Sequence, residues 1–241
     1  TPGMKTDQWR KSIFDFYTLD GALALRDTLA SWEGGRLVVQ VVEMPIKCPV
    51  APLEFTFLAD AFFEEKGMRD KVDITYVTPL DGAFTKPIAS QHLGAMLSER
   101  HIALEGDFMI DRIDPVAKTL VSMDERVIGF DLLVTVPVHS GAAYVERSPG
   151  LGDSLGFVPT DKHTLQTPVS PNVFALGDAT DLPTSKAGSV THFEGEVLVE
   201  NIARFLAGRD LDAAYDGHAN CFIETGFHKA LLIDFNYDTE P

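Results

Sequence analysis

Two rhythms of apolar and polar positions run along this chain. Across residues 12–31 the apolar positions are Ile13, Phe14, Phe16, Tyr17, Leu19, Ala22, Leu23, Leu25 and Leu29. The later ones fall into helical spacing, and Gly34-Gly35 supplies a stop. Residues 36–42 form a β-branched run that predicts a buried parallel strand. A turn-rich stretch, 45–52, precedes a helix predicted over 54–66 from Phe57, Leu58, Ala61 and Phe62, with Gly67 closing it. Residues 72–77 predict a second strand, and strand–helix–strand in this order predicts a right-handed βαβ unit.

Beyond it the pattern predicts a helix over 90–100 and short strands over 102–104, 107–113, 119–121 and 126–128. Residues 130–136 predict an apolar strand that leaves the βαβ unit, followed by a Gly- and Pro-dense loop region over 137–171. A short apolar run, 173–176, predicts a buried strand that ends in Gly177-Asp178. A helix over 190–206 ends at Gly208, and 215–241 is a β-rich tail with its clearest strand over 230–235. The natural division places one compact α/β unit at 34–128, with its flanks in a second unit made from discontinuous parts of the chain.

Composition narrows the function. A formal net charge of −16 argues against nucleic acid, which needs a basic surface to neutralise phosphates, and leaves no basic patch for anionic lipid. No apolar run approaches the roughly 20 residues that span a bilayer, and the start shows no signal-peptide pattern. A chain that opens Thr1-Pro2-Gly3 reads as an excised fragment or processed product. Two cysteines, Cys48 and Cys221, are neither a disulfide framework nor a zinc signature.

Candidate chemistry begins at the first βα turn. A dinucleotide-binding Rossmann unit carries Gly-x-Gly-x-x-Gly there, so that backbone can approach a pyrophosphate. Here the turn reads Met44-Pro45-Ile46-Lys47-Cys48-Pro49-Val50-Ala51-Pro52-Leu53-Glu54, in which three prolines remove amide donors and no glycine permits close approach. The topology fits a nucleotide domain that has lost its nicotinamide nucleotide. In its place stands Cys48, whose thiolate Lys47 and the helix dipole would favour; the alternative is a structural thiol in a rigid turn. Glu54, six residues on, could exchange protons with sulfur or simply complement the dipole.

Asp178, delivered at a strand end behind Gly177, could accept hydrogen bonds from a polyol such as ribityl. Lys186-Ala187-Gly188 opens the next helix, which carries Glu196 and Asn201. Its amides could face a flavin ring or phosphate, and Lys186 could polarise a flavin carbonyl or merely be solvated. His139, His192 and His218 are scattered without metal-ligand spacing.

Together these strings resemble the sulfide:quinone oxidoreductase family of the pyridine nucleotide-disulfide oxidoreductase superfamily. They are Lys47-Cys48-Pro49-Val50-Ala51-Pro52-Leu53-Glu54, Gly150-Leu151-Gly152-Asp153, residues 173–186, and Asn220-Cys221-Phe222-Ile223-Glu224-Thr225-Gly226. The resemblance implies an α/β, Rossmann-like, two-dinucleotide-binding-domain flavoprotein. In it 1–33 and 129–208 belong to an incomplete FAD domain, 34–128 to an NAD(P)-binding-like domain, and 209–241 to the start of a C-terminal interface domain. It further implies a redox-active pair, Cys48 and Cys221, that sulfide attacks, with Glu54 as the nearby acid. Gly177, Asp178, Lys186, Ala187 and Gly188 are implied at FAD, with Phe222 and Ile223 lining a quinone pocket.

The Gly-x-Gly-x-x-Gly loop for the FAD diphosphate, the third cysteine of many members and the membrane-anchoring C-terminal helices of the family are not found in the sequence. The chain alone is therefore expected to be apo, inactive and soluble, whereas the intact protein is expected at a membrane surface as a peripheral protein, a homo-oligomer being left open. Three other readings remain: the flavin subunit of a cytochrome-linked sulfide dehydrogenase, a type II NADH:quinone reductase, which the proline-rich turn speaks against, and a non-catalytic nucleotide-domain relic.

Overall fold

A computed structural model describes residues 6–240, which divide into two compact units, each assembled from separate stretches of chain. The first holds the residues up to Ile46 together with Val50–Val138 and Ile223–Leu231; the second holds Lys47–Pro49, His139–Phe222 and the residues from Leu232 onward.

In the first unit the chain runs β1 (Ile13–Phe14), α1 (Leu19–Ser31), β2 (Gly35–Val41), α2 (Ala51–Glu65), β3 (Val72–Val77), α3 (Pro87–Glu99), β4 (Ala103–Glu105), β5 (Ile110–Asp114), β6 (Thr119–Ser122), β7 (Val127–Gly129) and β8 (Leu132–Val136). Five strands form a parallel sheet in the order β1-β8-β2-β3-β4, and β5-β6-β7 form a separate antiparallel sheet. Each helix starts where the sequence supplies a start. Thr18 caps α1 by accepting from the Gly21 amide at 3.0 Å, and Pro52 and Pro87 sit in the opening turns of α2 and α3, where a missing N–H costs nothing. Gly67 ends α2 at φ +64°, and the bonds from its amide to Glu64 O and from Met68 to Phe63 O close the left-handed cap that glycine permits.

The run over residues 130–136 does not leave the sheet, contrary to the sequence expectation. Leu132–Val136 pair in parallel with β2, from Leu37↔Leu132 to Val41↔Val136, and lie between β1 and β2. All five residues of β8 are buried, and a strand apolar on both faces is most stable inside a covered parallel sheet. The early apolar pair Ile13 and Phe14 is likewise a strand, pairing with Leu133 and Val134. Ile13, Val38, Val77 and Leu133 join Phe108, Ile113, Leu120 and Phe130 in one buried cluster, so strands of both sheets share a core.

In the second unit, α4 (Ala143–Glu146) is a single turn, and α5 (Gly188–Leu206) is the long helix. The hairpin of β9 (Ala219–Gly226) and β10 (Lys229–Phe235) contributes residues to both units. Residues 173–176 are not the buried strand that the sequence predicts. Phe174 makes an isolated antiparallel bridge with Gln166, and the amides of Thr167 and Ala175 bond Val173 O and Leu165 O. The segment is a short extended arm that enters a 3-10 turn over Gly177–Ala179. Among the described residues no helix is long and apolar enough to cross a membrane.

Candidate active site around Lys186

The stretch from Lys186 to Ser189, which leads into α5, ties together the second unit's candidate residues. Lys47 and Lys186 form a parallel bridge, and the Cys48 amide donates to Lys186 O at 2.7 Å. Three residues on, Ser189 Oγ donates to Asn220 O at 2.5 Å, and Cys221 is the next residue. Both cysteine segments are thus hydrogen-bonded to the short 186–189 stretch, the Cys48 segment to its backbone and the Cys221 segment to the Ser189 side chain, with Cys48 half-buried and Cys221 buried. Cys48 holds φ +49°, a left-handed conformation in which a side chain is strained, and such strain collects where geometry is fixed for a purpose.

Lys186 is no solvated lysine. It is only 7% exposed, donates from Nζ to Thr180 O at 2.6 Å, and lies 4.2 Å from the centre of the Phe157 ring. Burial pushes its pKa below the usual lysine value, against the pull of Asp178, Asp181, Glu194 and Asp153. Thr180 in turn donates from Oγ1 to Gly177 O at 2.9 Å, so the lysine braces the turn that carries Asp178. Asp178 is half-buried, and among the described residues no hydrogen bond reaches its carboxylate. Gly177 holds φ +66°, and a Cβ there would lie 2.6 Å from Thr191 Oγ1. Only glycine fits between that turn and α5.

One residue of this cluster escapes the sequence reading. Glu194, on α5, is 0% exposed; its Oε2 accepts from the Gly177 amide at 2.5 Å, while Oε1 has no hydrogen-bond partner. Burial raises its pKa, opposed by the Gly177 amide and by Lys186. The sequence drew attention to Glu196 and Asn201 instead. Glu196 is exposed beside His192, and Asn201 is committed to structure, donating to Thr164 O and Ala213 O. Val190, Glu194 and Asn201 are the buried residues of α5 and fall on one helical stripe, which only the folded helix identifies.

The raised pKa makes a prediction with a definite sign. The folded state binds the Glu194 proton more tightly than the unfolded state, so stability is fully present below the ordinary carboxyl range and falls as pH rises through the folded pKa. Glu194→Gln keeps an oxygen for the Gly177 amide and removes the charge. Urea melts of wild type and variant should show the variant gaining on the wild type with rising pH, by about 1–3 kcal/mol, the cost of a buried unsatisfied polar group. A difference that is flat with pH would contradict the assignment.

The remaining candidates lie in other settings. Glu54 stands in the first turn of α2, in the first unit, where its Oε1 accepts from the Glu224 amide at 3.0 Å. Phe222 and Ile223, adjacent in β9, face opposite sides: Phe222 is 68% exposed and Ile223 is 0% exposed. Strand alternation therefore separates them, and one pocket wall cannot contain both. Ala187 is the N-cap of α5, its amide bonded to Ser185 O, and Gly188 begins the helix with no side chain capping its first amides.

No protein-family profile matches the chain. It is 28% identical over 219 residues to the mitochondrial sulfide:quinone oxidoreductase of Mus musculus, covering 88% of this chain and 48% of that protein. It is 31% identical over 205 residues to the mitochondrial sulfide:quinone oxidoreductase of Schizosaccharomyces pombe, covering 81% of this chain and 44% of that one. Among solved structures, the sulfide:quinone oxidoreductase of Aquifex aeolicus superposes with a TM-score of 0.78 at 15% identity, covering 98% of this chain and 59% of that chain. The fold is the Rossmann-like α/β fold of the FAD- and NAD-binding oxidoreductases. The chain spans about half the length of the curated relatives it matches.

Proposed function

We propose, from the premise that this chain is related by sequence to the sulfide:quinone oxidoreductases, that it contains the residues with which a flavoenzyme oxidises sulfide and passes electrons to quinone. What carries the reading is the attachment of the Cys48 and Cys221 segments to the same short stretch, the first to Lys186 O and the second to Ser189 Oγ.

The chain's residues fit an FAD at this place. A flavin needs donors toward its ring and an acceptor toward its ribityl hydroxyls. Buried Lys186 and the uncapped amides that open α5 are donors, and the Asp178 carboxylate, which no hydrogen bond reaches from the described residues, is the acceptor. The unpartnered Glu194 Oε1 is a further buried polar atom that a bound group would satisfy. Gly177, Asp178, Lys186, Ala187 and Gly188 would hold the cofactor, which when bound supplies a two-electron acceptor.

Hydrosulfide attacks a disulfide bridge between Cys48 and Cys221: one new S–S bond forms, one breaks, and the products are a persulfide on one cysteine and a thiolate on the other. Lys47, adjacent to Cys48, favours its thiolate. Exposed Phe222 offers an apolar face for the quinone ring, and a quinone acceptor requires the complete protein to work at a membrane surface. By itself the 241-residue chain, which has no Gly-x-Gly-x-x-Gly loop, retains no stoichiometric flavin and does not turn over.

A type II NADH:quinone reductase is the competing reading, and the electron donor separates the two. Under anaerobic conditions sulfide, and not NADH, should bleach the flavin absorbance of the full-length protein. Bleaching by NADH alone would replace this function with the competitor.

A further inference from the structure

His139, the first residue of the long second-unit stretch, accepts a hydrogen bond from the Lys47 amide at its Nδ1, 2.7 Å away. A backbone N–H can only donate, so Nδ1 must be unprotonated and the ring proton of the neutral form sits on Nε2. Lys47 immediately precedes Cys48, whose own amide is held by Lys186 O and whose backbone is left-handed. The turn that presents the cysteine is therefore fastened on two successive amides, Lys47 to an imidazole and Cys48 to a carbonyl. Only the first fastening can titrate. Burial and the Lys47 charge hold the ring's pKa below the ordinary histidine value, and Asp178 pulls the other way.

We propose that His139 is the positioning residue of Cys48: its unprotonated Nδ1 holds the Lys47 amide and with it the left-handed cysteine turn, and protonation of the ring releases that turn. Protonated Nδ1 would present an N–H to an N–H, so the bond cannot survive. The cysteine then loses one of its two fastenings and the geometry that goes with it. The site thereby acquires an acid-sensitive gate on Cys48, whereas the Cys221 segment is held through Ser189 Oγ. This inference rests on Cys48 being the reacting sulfur, but its test needs neither sulfide nor flavin.

The experiment is competitive alkylation of the reduced full-length protein with iodoacetamide between pH 5 and 8, read by peptide mass as the ratio of Cys48 to Cys221 labelling. Below the thiol pKa values both thiolate populations fall tenfold per pH unit, so the ratio stays flat unless a further ionisation acts on one site. In the wild type the ratio should change by about fivefold on acidification, the equilibrium equivalent of one hydrogen bond. His139→Asn, whose side-chain oxygen can accept from the amide at every pH, should abolish the inflection. His139→Leu should show the released ratio throughout. A flat ratio in the wild type overturns the proposal even if neither variant folds, and an inflection that persists in His139→Asn overturns it as well. Absence of sulfide-driven flavin bleaching would refute the proposed function and leave this ratio readable.

Discussion

Exchange of Cys48 for Ser should lower sulfide-driven flavin reduction by at least about 10³-fold, the scale on which removing a catalytic nucleophile acts. Serine is close in size, and the Cys48 fastening to Lys186 O is made by the backbone, so the turn survives the change. A hydroxyl cannot form the bridge that hydrosulfide attacks, nor carry the persulfide. Cys221→Ser should cost as much, and the double variant little more, because two residues that act as one bond are not additive. Stopped-flow absorbance at the flavin band, with flavin content and thermal melts as controls, reads the effect. Turnover within about tenfold of wild type in Cys48→Ser, against that 10³-fold scale, would remove the cysteine from the mechanism.

The second large effect is on stability, at Asp60 in the first unit. Asp60 is 5% exposed and receives Arg69 Nε at 2.6 Å and Arg100 at 3.5 Å. Arg69 also donates to Val72 O and Arg100 O, which ties the start of β3 to the end of α3. Arg100 donates to Thr225 O at 2.6 Å and lies 5.0 Å from the Phe57 ring and 5.3 Å from that of Phe227. Asp60 is the shared counter-charge of two largely buried guanidiniums. Its replacement by Ala leaves both uncompensated, which should cost about 3–5 kcal/mol. Asp60→Asn, which keeps one acceptor, should cost less. Guanidinium-chloride melts check this, and a loss below about 1 kcal/mol would mean that solvent compensates the arginines, as it does for exposed pairs.

Much of the first unit was legible because its elements carry strong local signals. The run at 36–42 and the helix that follows appear within one to three residues of where periodicity places them, since β-branched burial and a proline start leave little alternative. The two failures share a cause. Residues 130–136 and 173–176 are both short apolar runs, and a run of that kind does not encode its partner. The former found a slot between two parallel strands; the latter found only Leu165–Thr167 beside it and stayed a single bridge.

The candidate site divides along the same line. Cys48, Asp178 and Lys186 were visible because each interrupts or terminates a pattern. Glu194 was not, because an acid on a helix reads as surface until the buried stripe containing it is known. His139 was passed over as one of three scattered histidines, since its role depends on a contact 92 residues away in sequence. The resemblance implies Phe222 and Ile223 together at a quinone pocket, whereas β9 places them on opposite faces.

If sulfide is oxidised through the Cys48–Cys221 pair, the chemical state of those two sulfurs must change when sulfide is added. The full-length protein, oxidised and then exposed to one equivalent of sulfide without quinone, should be quenched with an alkylating agent and its peptides weighed. The Cys48 or Cys221 peptide should gain one sulfur atom while the other cysteine appears as a newly alkylated thiol. Sulfide consumption with both peptides unchanged would contradict it.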